Sequence, residues 1–337
     1  MSSALDNKKL NREHEKIVSP TMQIVDKFKH NKLAMIGLFL FTFLIIVIVG
    51  AQIYIHVTNY DLANVDISKK YMKPSAQHIF GTDAQGRDLF LRVLAGGWIS
   101  IQVGLLSTFL SIILGVSIGA IAGFFGGKID TLIMRGTEIV SSFPFLAIAM
   151  TISAIFMDLD VQLRLYLIIF ILGLLRWTGL ARMVRGQILS LREQEFIVAT
   201  KALGISNYNQ ITKHLIPNVL SYVVVSGTLT FAGAILSESS LSYLGLSVTE
   251  PIPTWGRLIS LSAKNSIVMT NYWWTWIFPG LALFILIMSI NVIGEGLRDA
   301  VDPKAQYVTK EQKLRLKEKR KREKERAKRR KLAKAAM

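Results

Sequence analysis

The chain has 337 residues, 51% of them hydrophobic, and a formal charge of +17 from 40 basic and 23 acidic residues. Apolar runs with basic flanks exclude an ordinary soluble globule, and the absence of cysteine excludes disulfides, thiolate metal sites and a cysteine nucleophile. The five histidines, His14, His30, His56, His78 and His214, never fall at the i, i+4 spacing of a zinc site on a helix, so no metal site is expected.

In chain order, residues 1–32 are a polar N-terminal segment. The run LAMIGLFLFTFLIIVIVGA within 33–55 is too long and too far from Met1 for a cleaved secretory signal, and predicts a first transmembrane helix. An external loop, 56–98, contains FGTDAQGRD, where Thr82 or Asp83 is expected to cap a helix and Arg87 to pair with a carboxylate. The second span, 99–124, carries Gly104, Thr108, Ser111, Gly115, Gly119 and Gly123 at steps of three or four. Such a stripe is either a helix-packing face or the lining of a pore.

Further spans are predicted at 139–157, 163–181, 218–237 and 272–294, giving six, with a bend expected at Phe143-Pro144-Phe145. Their central parts hold no Asp, Glu, Lys or His, while Glu138, Arg164, Arg176, Glu238 and Glu295 fall at or near span ends, where snorkelling is expected. An ion-coupled carrier needs an ionisable group at depth, so the energy is expected to enter from outside this chain. The nearest phosphate loop, AGFFGGKI, has Ala122 for its first glycine and Ile129 for the Mg-binding hydroxyl. No nucleophile elbow or carboxylate constellation within the spans replaces it, so neither a bound cofactor nor a catalytic residue is expected.

The segment EFIVATKALGISNYNQITKHLIPN, residues 195–218, is compact and polar between two apolar runs. Phe196, Ala199 and Leu203 recur at helical spacing, and Gly204 follows as a C-terminal stop. Asn207 then reads as the cap of a second helix with Gln210 as its capping-box partner, and Ile211 and Leu215 share a face until Pro217 interrupts it. This spacing predicts a helix-turn-helix surface.

With the N-terminus inside, 32 of the 40 Lys and Arg residues fall on the inner side. Both termini and the hairpin are therefore expected in the cytoplasm. The tail, 304–337, is strongly basic, which suits anionic membrane lipids. With one nearby aromatic, Tyr307, and no base-reading module, it is not expected to bind nucleic acid.

The hairpin resembles the EAA loop of ABC-importer permeases, E-A-A-x3-G-x9-I-x-L-P. Val198-Ala199-Thr200, Gly204 and His214-Leu215-Ile216-Pro217 keep both gaps, with Val198 where the family has Glu and Glu195 one turn earlier. FGTDAQGRDLF, GGKIDTLIMR, ARMVRGQILSLREQEF, LSYLGLSV with PTWG, and GLRDAVDP are similar to the C-type permease of oligopeptide and dipeptide importers. The resemblance spans about residues 78–303. It implies an all-α integral membrane protein with the type I importer permease fold. The core is then 99–303, with a cytoplasmic coupling loop at about 182–217 that meets the ATPase through Glu195, Ala199, Leu203, Gly204, Ile211, Leu215 and Pro217. The partners it implies are a second homologous permease, two ABC ATPase subunits that bind ATP and Mg, an extracellular or periplasmic peptide-binding protein, and a peptide substrate. Related permeases for nickel or other small solutes share these motifs.

Cysteines placed singly at Ser75, Ser206 and Ala335 report topology, because the native chain has none. An impermeant thiol reagent on intact cells should label position 75 alone, and strong labelling at 206 overturns the orientation. Ending the chain after Tyr307 should leave uptake per inserted protein largely intact; complete loss at normal insertion would place the tail in the mechanism.

Overall fold

The computed structural model describes residues 20–248 and 250–301, which form helices and connecting turns with no extended strand among them. The expectations placed on residues 1–19 and on the tail lie outside the described residues. Two compact units divide the chain. In one, α1 (Pro20–His30) is tied down by Lys27 Nζ, which donates to Ala300 O at 3.2 Å. The other unit, Lys32–Glu295, contains the sites described below.

Its helices are α2 (Lys32–Thr58), α3 (Leu89–Phe125), α4 (Gly127–Ser142), α5 (Phe145–Ile155), α6 (Val161–Leu191), α7 (Glu195–Ala202), α8 (Asn207–Tyr243), α9 (Trp255–Ala263) and α10 (Ser266–Asn271). The first part of α11 (Trp274–Val301) also belongs to it. Five of these, α2, α3, α6, α8 and α11, are long and apolar enough to cross a membrane. The pair α4 and α5 makes a sixth crossing only if counted as one broken span.

Four contacts between α3 and α6 argue for counting it so. Ser111 Oγ donates to Gly173 O at 2.9 Å, and a Cβ built on Gly115, Gly119 or Gly123 would meet Trp177 O at 3.1 Å, Ala181 O at 2.5 Å or Arg185 O at 2.9 Å. Every pair is separated by the same 62 residues, so the two helices run parallel and in register. A 37-residue helix rises about 55 Å at about 1.5 Å per residue, and the chain must recover most of that length before α6 starts. Only α4 and α5 lie between, bent by 74° across Phe143 and Pro144. The span expected as one helix over 139–157 is therefore the end of α4, a break and all of α5.

The external loop expected over 56–98 ends ten residues early, because α3 begins at Leu89. Its cap is Asp88, which accepts from Leu91 N at 3.1 Å, rather than Thr82 or Asp83. Thr82 instead ties two backbone strands of the loop together, accepting from Met72 N and donating to Lys69 O. Arg87 does pair with carboxylates, its Nε 2.7 Å from Asp83 and its Nη1 2.9 Å from Glu250. Arg92 reaches the same Glu250 at 3.0 Å. Burial alone would raise the Glu250 carboxyl, but the Arg92 and Arg87 guanidiniums outweigh it and hold it below the usual range.

Of the five charges expected near span ends, Arg164 and Glu238 are buried and Arg176 is half-buried among helices rather than snorkelling. Arg176 lies midway along α6, where Nη2 donates to Gly233 O at 2.9 Å and the guanidinium sits 4.6 Å from the Phe145 ring centre. Arg164 donates to Ser247 O at 2.7 Å. Glu238, in α8, has no exposed surface and accepts from Ser100 at 2.9 Å and Ser242 at 2.6 Å, with Ser239 and Ser247 at 3.4 Å. These groups obtain partners from neighbouring helices, so no snorkelling is needed. Glu138 and Glu295 are exposed, as expected.

Among the described residues, apolar packing falls into three clusters along the bundle. At the α3 N-terminus Ile48, Leu89, Val93, Trp255 and Trp274 cluster, and at its other end Ala120, Val184, Ile188, Ile197, Leu215 and Val219 do. Gly119→Val should lower the thermal midpoint of the purified chain in lipid nanodiscs, since overpacking of this kind costs roughly 1–3 kcal/mol. Gly179→Ala, whose added Cβ meets nothing within 4 Å, should remain within about 0.5 kcal/mol of wild type. Equal midpoints for both would show that α3 and α6 do not depend on this close approach.

Candidate functional site

The polar hairpin is anchored by its own backbone chemistry. At the end of α7, Gly204 N donates to Lys201 O and Ile205 N to Thr200 O, both at 3.1 Å, with Gly204 at φ +72°. This paired closure needs a left-handed residue at its centre, which is why glycine stands there. The second limb is capped by Ser206, whose Oγ accepts from Asn209 N at 3.4 Å, one residue before the expected Asn207. Gln210 forms no capping box; its buried side chain donates to Ile205 O at 2.6 Å and braces the turn.

Pro217 does not end the helix. Residues Gln210–Leu215 form a π-helical segment in which Ile216 N donates to Ile211 O, and α8 continues through Pro217 to Tyr243. The second limb of the hairpin and the following span are thus one helix.

The residues singled out from the sequence divide between two faces. Glu195, Ala199, Leu203, Gly204 and Pro217 are exposed, whereas Leu215 is fully buried and Ile211 half-buried against the same cluster. Ile197 and Thr200, not the stripe of Phe196, Ala199 and Leu203, turn α7 toward the core. The outward face is apolar: Phe196, Val198, Leu203 and Tyr208 are 41%, 55%, 79% and 74% exposed. Val198 and Tyr208 extend this face beyond the stripe read from spacing. Tyr208, a lone aromatic between two asparagines, was the available signal.

Two arginines join the base of the hairpin to neighbouring helices. Arg192 Nη1 donates to Gly123 O at 3.2 Å and Phe124 O at 3.4 Å, placing a cation on the carbonyl end of α3. Arg185 grips both carboxylate oxygens of Asp130 in α4, with Nε 2.9 Å from Oδ1. The small-residue stripe is buried within the chain: Gly104 faces Phe231 and Ile235 of α8, Ser111, Gly115, Gly119 and Gly123 face α6, and Thr108 is enclosed. These six positions form a packing face.

Residues 115–307 match the family model described as binding-protein-dependent transport system inner membrane component, and residues 19–74 match the N-terminal TM domain of oligopeptide transport permease C. The chain is 41% identical over 278 residues to the oligopeptide transport system permease protein OppC of Haemophilus influenzae, covering 82% of this chain and 86% of that one. It is 38% identical over 287 residues to the dipeptide transport system permease protein DppC of Alkalihalophilus pseudofirmus, with coverage of 85% and 91%. With its apolar helices, the protein is a multi-pass inner-membrane permease. It belongs to the family of binding-protein-dependent transport system inner membrane components.

Proposed function

We propose that this chain is the non-catalytic permease subunit of an ATP-driven importer of oligopeptides or dipeptides, and that the hairpin is the surface on which an ATPase subunit acts. The carrying observation is an exposed apolar face, Phe196, Val198, Leu203 and Tyr208, on a segment whose opposite side is locked into the core by Ile197 and Leu215. Exposed apolar surface of this kind is a docking face, and a rigid base transmits displacement rather than absorbing it. Val198, in place of the family's Glu, adds to the apolar area.

The peptide reading draws on the similarity to an oligopeptide and a dipeptide transport system permease protein. A second homologous permease completes the pathway, two ATPase subunits bind the ATP and Mg, and an external binding protein delivers peptide. The hairpin and both termini are then cytoplasmic. The fully buried Glu238 weakens the objection to an ion-coupled carrier that the spans hold no Asp, Glu, Lys or His at depth. What stands against that class is membership of the permease family.

Gly204→Val tests the hairpin. A Cβ there meets no neighbour within 4 Å, so the substitution acts through the backbone, forcing a β-branched residue to φ +72° at about 1–3 kcal/mol. Copurification of the ATPases, or peptide-stimulated ATP hydrolysis in the reconstituted complex, should fall several-fold at normal membrane amounts. Wild-type assembly, hydrolysis and uptake would mean that the motor grips this subunit elsewhere.

A further inference from the structure

At the N-terminal end of α3, the end opposite the hairpin base, a cavity of about 170 Å³ opens between the loop before α3 and helix α9. Leu89, Asp83, Arg87, Glu250 and Arg257 line it, with the apolar sides of Leu258 and Leu261. Four of these are charged, yet their capacities are not equally spent.

Asp83 is saturated: Oδ1 accepts from Gln85 N at 2.8 Å and Arg87 N at 3.1 Å, and Oδ2 from Arg87 Nε at 2.7 Å. Glu250 is held by both Arg87 and Arg92. Arg87 is spent on those same two carboxylates. Two carboxylates and two guanidiniums therefore cancel.

Arg257 is the remainder. Among the described residues no carboxylate pairs with it, and its buried Nε, like that of Arg92, has no hydrogen-bond acceptor. An unpaired guanidinium on the wall of a cavity, beside a cluster whose charges already cancel, leaves a net positive charge there that suits an anion. The planar guanidinium fork matches a carboxylate, and the leucine walls suit the carbon behind it.

We propose that Arg257 and this cavity bind a carboxylate, presented either by the C-terminus of an incoming peptide or by an acidic side chain of the protein that delivers it. The site deepens the importer reading and rests on it for the source of the ligand, although the chemistry of the cavity does not.

The direct test is calorimetric titration of acetate into the purified full chain in lipid nanodiscs, with neutral acetamide as control. Acetate should bind saturably to wild type, about tenfold or more weakly to Arg257→Gln and with intermediate strength to Arg257→Lys, while acetamide should not bind. No saturable acetate binding to wild type, or equal binding to a folded Arg257→Gln, overturns the proposal whatever the chain transports. Thermal midpoints establish folding, and the lysine variant, which keeps the charge, separates a lost ligand from a lost structure.

The source is then read in the reconstituted importer. If the peptide terminus supplies the carboxylate, Arg257→Gln raises KM for trialanine with kcat unchanged and leaves trialanine amide unaffected. If the delivering protein supplies it, both peptides suffer equally and that protein's affinity for the importer falls. Absence of any peptide uptake by wild type, with acetate binding retained, would overturn the importer reading and leave the carboxylate site standing.

Discussion

The parallel, in-register approach of α3 and α6 governs where everything else in the bundle can be. Four turns of contact at a constant 62-residue separation bring backbone against backbone, because glycine stands at each crossing below Ser111. Inside a membrane there is little hydrophobic gain from bringing helices together, so close packing and hydrogen bonds must supply the attraction. Removing side chains from one face is how that closeness is reached. The consequences lie at both ends. At one end the approach brings Arg192 onto the α3 carbonyls and Arg185 within reach of Asp130; at the other it leaves Ser100 facing Glu238.

Glu238 illustrates how the same helices hold an ionisable group without water. Its carboxyl takes hydroxyls from α3, from its own helix and from the loop after it, and Ser242 in turn accepts from Thr254 at 2.9 Å. A buried carboxyl lacking such partners would cost several kcal/mol. The network therefore fixes the loop that carries Glu250 against the bundle, and with it the geometry of the paired arginines. Trp255 fastens the same region by donating from Nε1 to Val93 O at 2.7 Å.

Much of this was legible in the sequence where one residue's chemistry decides the backbone. Gly204 could be read as a stop because a left-handed turn leaves few alternatives, and the small-residue stripe because its spacing matches a helix face. Six crossings were legible from hydrophobic runs, but their ends were not. Leu89–Trp98 was assigned to a loop because Arg92 interrupts the apolar pattern; the helix persists since that arginine finds Glu250 and Leu62 O. The snorkelling expected of Arg176 and Glu238 fails for the same reason. A window of hydropathy charges each polar group its full cost and cannot see a partner 57 or 138 residues away. The cap at Ser206 rather than Asn207 is a smaller failure, between two adjacent residues that both cap well.

Continuity of the hairpin with α8 sets how displacement can travel. A proline inside an ordinary α-helix leaves one carbonyl unpaired and clashes with the preceding turn. Here Pro217 follows a π-helical segment whose wider turn already shifts the bonding register, as the Ile216 to Ile211 bond records. The helix can therefore pass through the proline without a loop. On the other limb, α7 is separated from α6 only by the turn at 192–194, and Arg192 within that turn is fastened to α3. A force on Leu203 or Tyr208 thus has two short routes inward, one along α8 and one through Arg192 into the α3–α6 pair. Neither route contains a long linker, so in the proposed coupling role the hairpin would move helices as bodies rather than bend at its own base.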